Sequence, residues 1–400
     1  MPNEIDLTIV MPCLNEAETL ERCIVKAKQG IEKAGVRGEI LIADNGSTDG
    51  SIEIAHRLGV RVEHVKAKGY GNALRYGIAA AAGRWIIMGD SDDSYDFSSL
   101  NGFVERLRQG DELVMGCRMP AGGGTILPGA MPWKNRWIGN PSLSFLGRLF
   151  FKTPIHDFHA GMRGFSAEGY RKMDLQTTGM EFASEMVMKA TIKGLRVSEV
   201  PITLHKDGRS RPPHLKPWRD GWRHLRFMLI YSPKWLFLYP GFALFLLGLA
   251  GVFLTGFGQF TVAGKHLDVG ALAVACMCVV LGVQFVSLAV FTKVFAISEG
   301  LLNADRDFTN AYRRFSLEKG VIVGSLAALL GFGLLVGSVI VWKEAGFGPL
   351  DYGSNLRRLL PATTLVIVGL QIISSSFFLG VLGLKTVARP QVVENAVPKK

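Results

Sequence analysis

Leu7-Thr8-Ile9-Val10-Met11-Pro12-Cys13-Leu14-Asn15-Glu16 runs a short apolar segment into a polar turn, and Glu39-Ile40-Leu41-Ile42-Ala43-Asp44-Asn45-Gly46-Ser47-Thr48-Asp49 repeats the pattern. Short apolar runs that stop at Asn, Asp and Gly read as buried strands. Residues 61–65 and 84–88 are two more such runs, with helical patterns over 16–34, 50–58 and 72–82 between them. Strands alternating with helices predict a parallel α/β sheet, whose ligands bind beyond the carboxyl ends of the strands. Past residue 120 the pattern becomes irregular: 119–133 is a loop broken by Gly122, Gly123, Gly124, Pro128 and Pro132. Helical segments near 140–151 and 182–193 follow, then a closing strand within 197–204.

The second half of the chain differs in kind. Mean hydropathy is +0.24, high for a soluble protein of 400 residues. Four uncharged apolar runs, 235–264, 269–292, 320–342 and 359–384, account for it. A membrane crossing needs about 20 apolar residues, so the sequence predicts an all-α domain of four transmembrane helices, spanning about 235–258, 269–292, 320–342 and 359–384. No signal peptide is visible in the acidic, weakly apolar start, which predicts that residues 1–211 form a cytoplasmic domain. Lys and Arg number 17 in the flanks assigned to the cytoplasmic side against 4 in the opposite loops. By the positive-inside rule both termini are expected in the cytoplasm of a multi-pass inner-membrane protein.

The net charge of +11 is concentrated rather than spread: residues 205–234 hold eight basic and two acidic side chains. A nucleic-acid binder shows its basic stripe within the folded domain, whereas this excess adjoins the first span, where anionic lipid attracts it. Nucleic acid is therefore not an expected partner. Trp218, Trp222, Leu225 and Leu229 recur at helical spacing among Arg219, Arg223 and Arg226, and predict an interfacial amphipathic helix within 212–234; a helix of the folded core is the alternative. Cys13, Cys23, Cys117, Cys276 and Cys278 show no metal-ligand or disulfide spacing and read as small apolar residues.

Acidic clusters close three of the expected strands: Asn15-Glu16, then Asp44 to Asp49, then Asp90-Ser91-Asp92-Asp93. Carboxylates at i and i+2 on a turn can share a divalent cation with phosphate oxygens, the usual setting of Mg²⁺. In a turn, that cation is the expected partner of Asp92.

Pro12-Cys13-Leu14-Asn15-Glu16, Asp44-Asn45-Gly46-Ser47-Thr48-Asp49, Gly69-Tyr70-Gly71-Asn72-Ala73 and Asp90-Ser91-Asp92 resemble, in order and spacing, the family 2 glycosyltransferases with a GT-A nucleotide-sugar fold. Gly116-Cys117-Arg118, Asp157-Phe158-His159-Ala160-Gly161-Met162-Arg163 and Asp207-Gly208-Arg209-Ser210-Arg211 look like the polyprenyl-phosphate branch, typified by dolichol-phosphate mannose synthase. The resemblance implies that Pro12, Asn15, Glu16 and Asp44 form a nucleoside pocket, with Lys68 and Gly71 also in the nucleotide-sugar site. It implies that Asp90 and Asp92 hold Mg²⁺ or Mn²⁺ beneath the diphosphate. Arg118, Arg136 and Arg163 are implied in phosphate binding, and Arg209 and Ser210 in a loop closing over the site. Cys117 stands where the branch often has Ser, and Ser94 where a longer polar side chain can complete the metal site. The implied reaction is inverting transfer of a hexose from a UDP- or GDP-sugar to a polyprenyl phosphate, undecaprenyl or dolichyl.

The chemistry of the residues points the same way. Donor diphosphate and acceptor phosphate bring negative charges together, which a cation and several arginines offset, and arginine's planar fork suits phosphate oxygens. Glu181 and Glu185 are placed to orient sugar hydroxyls, or are solvated helix carboxylates. A processive polysaccharide synthase shares the first four motifs, but its Gln-x-x-Arg-Trp motif is absent; Lys216-Pro217-Trp218-Arg219 lacks the Gln. A flippase or inactive scaffold is the reading from another class, and uncharged spans with both aspartates retained oppose it. The sequence is compatible with an oligomer.

Overall fold

In the computed structural model the chain forms two compact units, residues 1–232 and 233–400. The structure describes residues 5–211, 217–256, 260–262, 264–303, 308, 310 and 316–383. Residues 212–216 of the expected interfacial segment, much of the basic loop 304–315 and the basic tail from 384 lie outside the described residues.

The first unit is built on a seven-stranded sheet. Its strands are β1 (Leu7–Cys13), β2 (Gly38–Asp44), β3 (Arg61–His64), β4 (Trp85–Met88), β5 (Leu113–Cys117), β7 (Arg163–Ser166) and β8 (Val197–Pro201), in the order β3-β2-β1-β4-β7-β5-β8. A short pair, β6 (Thr125–Ile126) with β9 (Thr203–Leu204), lies outside it. Every sheet pairing is parallel except that β7 runs antiparallel to both β4 and β5. The sheet carries helices on both faces, so the α/β expectation holds. Strand β7 was not expected, because Arg163-Gly164-Phe165-Ser166 is too short and too polar to show as an apolar run.

Period-two alternation explains the layering. Leu7, Ile9, Met11 and Cys13 of β1 are buried with Leu20, Cys23 and Ile24 of α1 (Leu20–Lys33) and Phe103 of α4 (Asn101–Arg108). Val10 faces the other way, with Leu41, Ala43 and helix α3 (Tyr70–Ala80), where Leu74 and Ile78 cover it. Each large apolar side chain contributes about 1.5–3 kcal/mol when fully buried. The unit also contains α2 (Ser51–Arg57), α5 (Asn140–Phe151), α6 (Ala167–Met173) and α7 (Phe182–Ile192). Gly77 sets how closely α3 approaches: a Cβ there would stand 2.8 Å from both Ala43 Cβ and Val10 Cγ1.

Register does the rest. Cys13 pairs with Asp44, so β1 and β2 end together; β4 ends three residues short, with Met88 opposite Val10, and residues 89–91 carry it on to the same edge, where Ser91 Oγ donates to the Pro12 carbonyl at 2.7 Å.

Helix α8 (Pro217–Ile230) belongs to the first unit and packs on α5 and α7. Its buried row is Asp220, His224 and Met228, four residues apart, while Trp218 is 91% and Trp222 59% exposed. Only one of the three buried residues is apolar, so hydrophobic periodicity does not reveal this face. The helix thus docks on the domain by one side and leaves its tryptophans outside.

In the second unit, four helices have the length and apolarity to cross a membrane: Lys234–Gly256, Val269–Ser298, Leu317–Glu344 and Tyr352–Leu382. Glycines bring the first two together, a Cβ at Gly248 standing 2.6 Å from Val279 N, and the last two likewise, a Cβ at Gly369 standing 2.5 Å from Ala328 N. A side-chain bond between Gln371 and Gln284, 3.2 Å, joins the second and fourth.

Helix α8 is tied down by His224, whose Nδ1 is 2.8 Å from Ser184 Oγ, with the His159 ring 4.8 Å away. Burial pushes the His224 pKa from 6.5 down to about 4, against the pull of Asp220 and Glu181 and with the help of Arg163 and Arg223. Between those two values the unfolded chain binds the proton and the folded one does not. Stability from this group is therefore full above pH 6.5 and is lost as pH falls to 4, about 2–3 kcal/mol in all. Thermal unfolding of the full-length protein in detergent should show this loss, and His224→Gln should narrow the difference between pH 7 and pH 4.5. An unchanged difference removes His224 from the account.

Candidate active site

The turns after β1 and β2 are stitched to each other. Asn15 has φ of 59°, a conformation that asparagine tolerates better than most residues. Its N–H donates to Ser47 Oγ at 2.9 Å and its Oδ1 accepts from Thr48 N at 2.8 Å. Glu16 N donates to Ser51 Oγ, and Ala17 N to Asp49 Oδ2, both at 2.9 Å. Asp44 accepts from Gly46 N and Ser47 N at 3.0 Å; burial raises its pKa, but the bonds from Ser47 and Gly46 hold it below the ordinary value.

Across this edge lies the segment 207–211. Arg209 Nη1 is 3.1 Å from Glu16 Oε1, and Arg209 Nη2 is 2.9 Å from Asp92 Oδ2. Its Nε also bonds both oxygens of Asp207, at 3.0 and 2.9 Å. Arg211 Nη2 reaches Glu16 Oε1 at 2.9 Å and the carbonyl of Leu14 at 3.0 Å. Ser210 donates to Glu18 through N and Oγ, and Gly208 N to the Asp92 carbonyl. Beneath the strap is a cavity of about 260 Å³, lined by Asn15, Glu16, Glu18, Thr48, Asp49, Arg209 and Arg211. Glu16 is buried, and its Oε2 has no hydrogen-bond partner among the described residues. Burial raises the Glu16 pKa, and Arg209 and Arg211 oppose the rise.

Asp90 leaves β4 at the same edge. Tyr70 Oη donates to its Oδ1 at 3.0 Å, and a Cβ on Gly161 would stand 2.6 Å from its Oδ2. Burial first, and the Asp92 charge second, push the Asp90 pKa up to about 6. No three His, Cys, Asp or Glu side chains among the described residues converge as a metal site. Two neighbouring carboxylates, one of them buried, still form a pair whose repulsion a cation would relieve, and phosphate oxygens and water commonly complete such a shell. Asp90 and Asp92 fit a divalent ion held jointly with a diphosphate. Asp92 does have protein partners, contrary to the expectation for its turn: Arg209, and Ser94, whose N–H donates to Oδ1 at 3.1 Å. Ser94 thus orients Asp92.

The other expected residues divide. Lys68 Nζ donates to the Asn45 carbonyl at 2.7 Å, and Gly71 opens α3 beside it. Pro12 and Asp44 stand behind the cavity lining, Pro12 accepting from Ser91 Oγ through its carbonyl. Arg118 is buried and forks onto Asp157, Nε to Oδ2 at 2.7 Å and Nη2 to Oδ1 at 2.9 Å. Arg163 is not brought to the cavity. It is fully buried and donates to the carbonyls of Ala160, Phe158 and Ala183, so it shapes the loop 157–161. Arg136 lies in a wide helical turn, Asn135–Gly139, with its guanidinium 5.5 Å from the Trp137 ring; among the described residues no hydrogen bond or ion pair joins it to the acidic group. Tyr70, Asp207 and Arg211 lie within the motifs quoted from the sequence but were not among the expected site residues. Their signal was position: Tyr70 between two glycines, the other two inside the Arg209 motif.

Residues 8–174 match the family model for glycosyl transferase family 2, and residues 290–383 that for the glycosyltransferase family 2 C-terminal transmembrane region. The chain is 38% identical over 388 residues to the low-salt glycan biosynthesis hexosyltransferase Agl6 of Haloferax volcanii, covering 94% of this chain and 89% of that protein. The chain is a family 2 glycosyltransferase. A dolichyl-phosphate hexose transferase of the same organism is 28% identical to it over 217 residues, 54% of this chain and 89% of that one. Among solved structures, glucosyl-3-phosphoglycerate synthase from Mycobacterium tuberculosis with Mn²⁺ and UDP-glucose aligns at a TM-score of 0.44 and 21% identity, over 57% of this chain and 79% of that one. With its transmembrane region and four apolar helices, this glycosyltransferase is a multi-pass membrane enzyme.

In the glycosyltransferase as folded here, Arg209 supplies positive charge to Asp92 and Glu16. Arg209→Gln should therefore tighten binding of Mn²⁺ in the absence of nucleotide about tenfold or more, since unit charges a few ångströms apart interact by several kcal/mol near a protein surface. Electron paramagnetic resonance of free Mn²⁺ measures this directly. Unchanged or weaker binding would show that the guanidinium does not compete for these carboxylates.

Proposed function

We propose that the protein transfers a hexose, with inversion, from a UDP- or GDP-sugar to the phosphate of a polyprenyl lipid at the cytoplasmic face of the cell membrane. The observation that carries this reading is the strap 207–211, which sets two arginines over an acidic cavity at the carboxyl edge of the sheet in a chain with four apolar helices. The hexosyltransferase and dolichyl-phosphate hexose transferase relatives support it.

A lipid acceptor also suits the surface of the first unit. Residues 113–156 hold five basic side chains and no acidic one. Within them Trp133, Trp137, Ile138 and Phe145 are exposed, as are Trp218 and Trp222 on α8. Basic residues interleaved with exposed aromatics suit an anionic bilayer surface.

A phosphate acceptor is already anionic, so the reaction needs no strong general base, and catalysis rests on positioning and charge. Arg209 and Arg211 bind phosphate oxygens as they exchange their hold on Glu16 and Asp92. The Oε2 of Glu16, unbonded among the described residues, accepts a donor hydroxyl. Arg118 and Asp157 hold the loop that lies on Asp90. Asp90 and Asp92 would hold the divalent cation, Mg²⁺ or Mn²⁺, which would neutralise the leaving diphosphate.

Membranes containing the protein, given labelled UDP- and GDP-hexoses with polyprenyl phosphate, should place label in the lipid phase. Asp92→Asn, and chelation of divalent metal, should lower transfer by about a hundredfold or more with the protein still folded in the membrane. Near-normal transfer by the Asn variant would end the metal assignment, and a growing polysaccharide with no lipid phosphate attached would favour the processive synthase.

Replacing both Trp218 and Trp222 by Ala should lower transfer to a long-chain acceptor more than to a short, water-soluble analogue. The long-chain phosphate cannot leave the bilayer, and misplacement by about 1 Å can cost about a hundredfold in rate. Equal losses would show that the two tryptophans serve folding.

A further inference from the structure

We propose that Glu185 is a positioning residue that holds the turn 68–72 against the active site, acting through the segment 174–179. The idea rests on reading the cavity at this edge as the donor site. Glu185 lies in the first turn of α7 and is fully buried. Its two oxygens accept from Gln176 N at 3.0 Å, from Thr177 N at 2.9 Å and from Thr177 Oγ1 at 2.7 Å. Lys189, one turn on and also buried, pairs with it at 2.9 Å and donates in addition to the Asp174 carbonyl. An ion pair taken out of water is costly unless hydrogen bonds saturate it, and this one is saturated by a single stretch of backbone. Its product is the shape of that stretch. Buried and fully bonded, Glu185 cannot orient sugar hydroxyls as its position in the sequence suggested.

The shaped segment lies directly on the turn that opens α3. Asn72 N donates to the Thr178 carbonyl at 3.2 Å. A Cβ on Gly69, whose φ is +125°, would stand 2.5 Å from Thr178 O, and one on Gly71 would stand 2.8 Å from Thr177 O and 2.9 Å from Gly179 O. Glycine is needed at both places because the carbonyls of 177–179 fill the space a side chain would take. The turn so held carries two groups into the site. Lys68 Nζ reaches the Asn45 carbonyl at 2.7 Å, and Tyr70 Oη reaches Asp90 Oδ1 at 3.0 Å. Gly69 N adds a bond to Asn45 Oδ1 at 2.8 Å. Glu185 is thereby linked to Asp90 through the backbone of 176–179 and 69–72 and the Tyr70 hydroxyl, touching no reacting group itself.

The test compares Glu185→Gln with the wild-type full-length protein in lipid nanodiscs. Without ligand, amide hydrogen exchange should quicken about tenfold or more at 69–74 and 174–179, with β1, β2 and the four apolar helices unchanged. In the presence of Mn²⁺, the Kd for UDP or GDP, whichever the wild type binds, should weaken about tenfold or more. Thr177→Val, which removes one hydrogen bond and leaves the Glu185–Lys189 pair, should shift both readouts in the same direction by less, and stands in if the Gln variant does not fold. Unchanged exchange at 69–74, or faster exchange throughout the sheet, overturns the proposal. So does quickened exchange with unaltered nucleotide affinity. If the wild type binds neither nucleotide, the donor reading fails, and exchange at 69–74 alone decides whether Glu185 holds the turn.

Discussion

Carboxylates gathered at one edge of a parallel sheet repel one another, and much of the first unit answers that repulsion. Strands β1 and β2 end in register and residues 89–91 extend β4 to the same edge, so the turns that carry Glu16, Asp49, Asp90 and Asp92 lie side by side. Nothing in the sheet itself neutralises them. The compensation comes from far along the chain, from Arg209 and Arg211, and it fixes where the segment 207–211 must lie. The remaining imbalance is visible in Asp90, which burial and its neighbour Asp92 bring to a pKa of about 6.

Behind this edge stands a second tier of buried polar groups, each saturated by protein atoms. Arg118 forks onto Asp157, Arg163 gathers three carbonyls, Glu185 and Lys189 hold a loop, and Ser184 receives His224. Such groups cost desolvation and add little net stability over apolar residues of the same volume. What they do specify is backbone path: each fixes a loop or helix that an apolar contact would leave free to slide. The first turn of α7 concentrates this work, since Ala183 serves Arg163, Ser184 serves α8, and Glu185 serves the segment beside α3.

This division explains what could be read from the sequence. The strands ending at Cys13, Asp44 and Met88 announce themselves as apolar runs, and the four apolar helices by length, because burial in core or lipid leaves a one-dimensional trace. Motif order brought out Asn15, Glu16, Asp90, Asp92 and Arg209, which meet at one place. Arg163 shows the limit. Its motif marks it as much as Arg209, and only the partners tell a buried arginine that organises a loop from one that faces a cavity. Strand β7, the inward face of α8 and the role of Glu185 leave no trace for related reasons: β7 is four residues with one large apolar side chain, and the contacts of His224 and Glu185 are polar, which hydrophobic periodicity does not report.

The arrangement also constrains the order of events on the proposed reading. An anionic donor approaching Glu16, Asp90 and Asp92 is repelled unless positive charge accompanies it, and in this structure the available positive charge is already bonded to those carboxylates. Asp90 and Asp92 would hold a divalent cation, which would supply there the positive charge that Arg209 gives Asp92 in this structure, and Arg209 would then be free for phosphate. The arginine that balances the site without ligand then becomes the group that holds the ligand within it. Because the strap is tied to Glu18 and to the Leu14 carbonyl as well, releasing Asp92 leaves it moored over the cavity. Charge exchange at one carboxylate can thus open the site to a diphosphate without unfastening the segment that closes it.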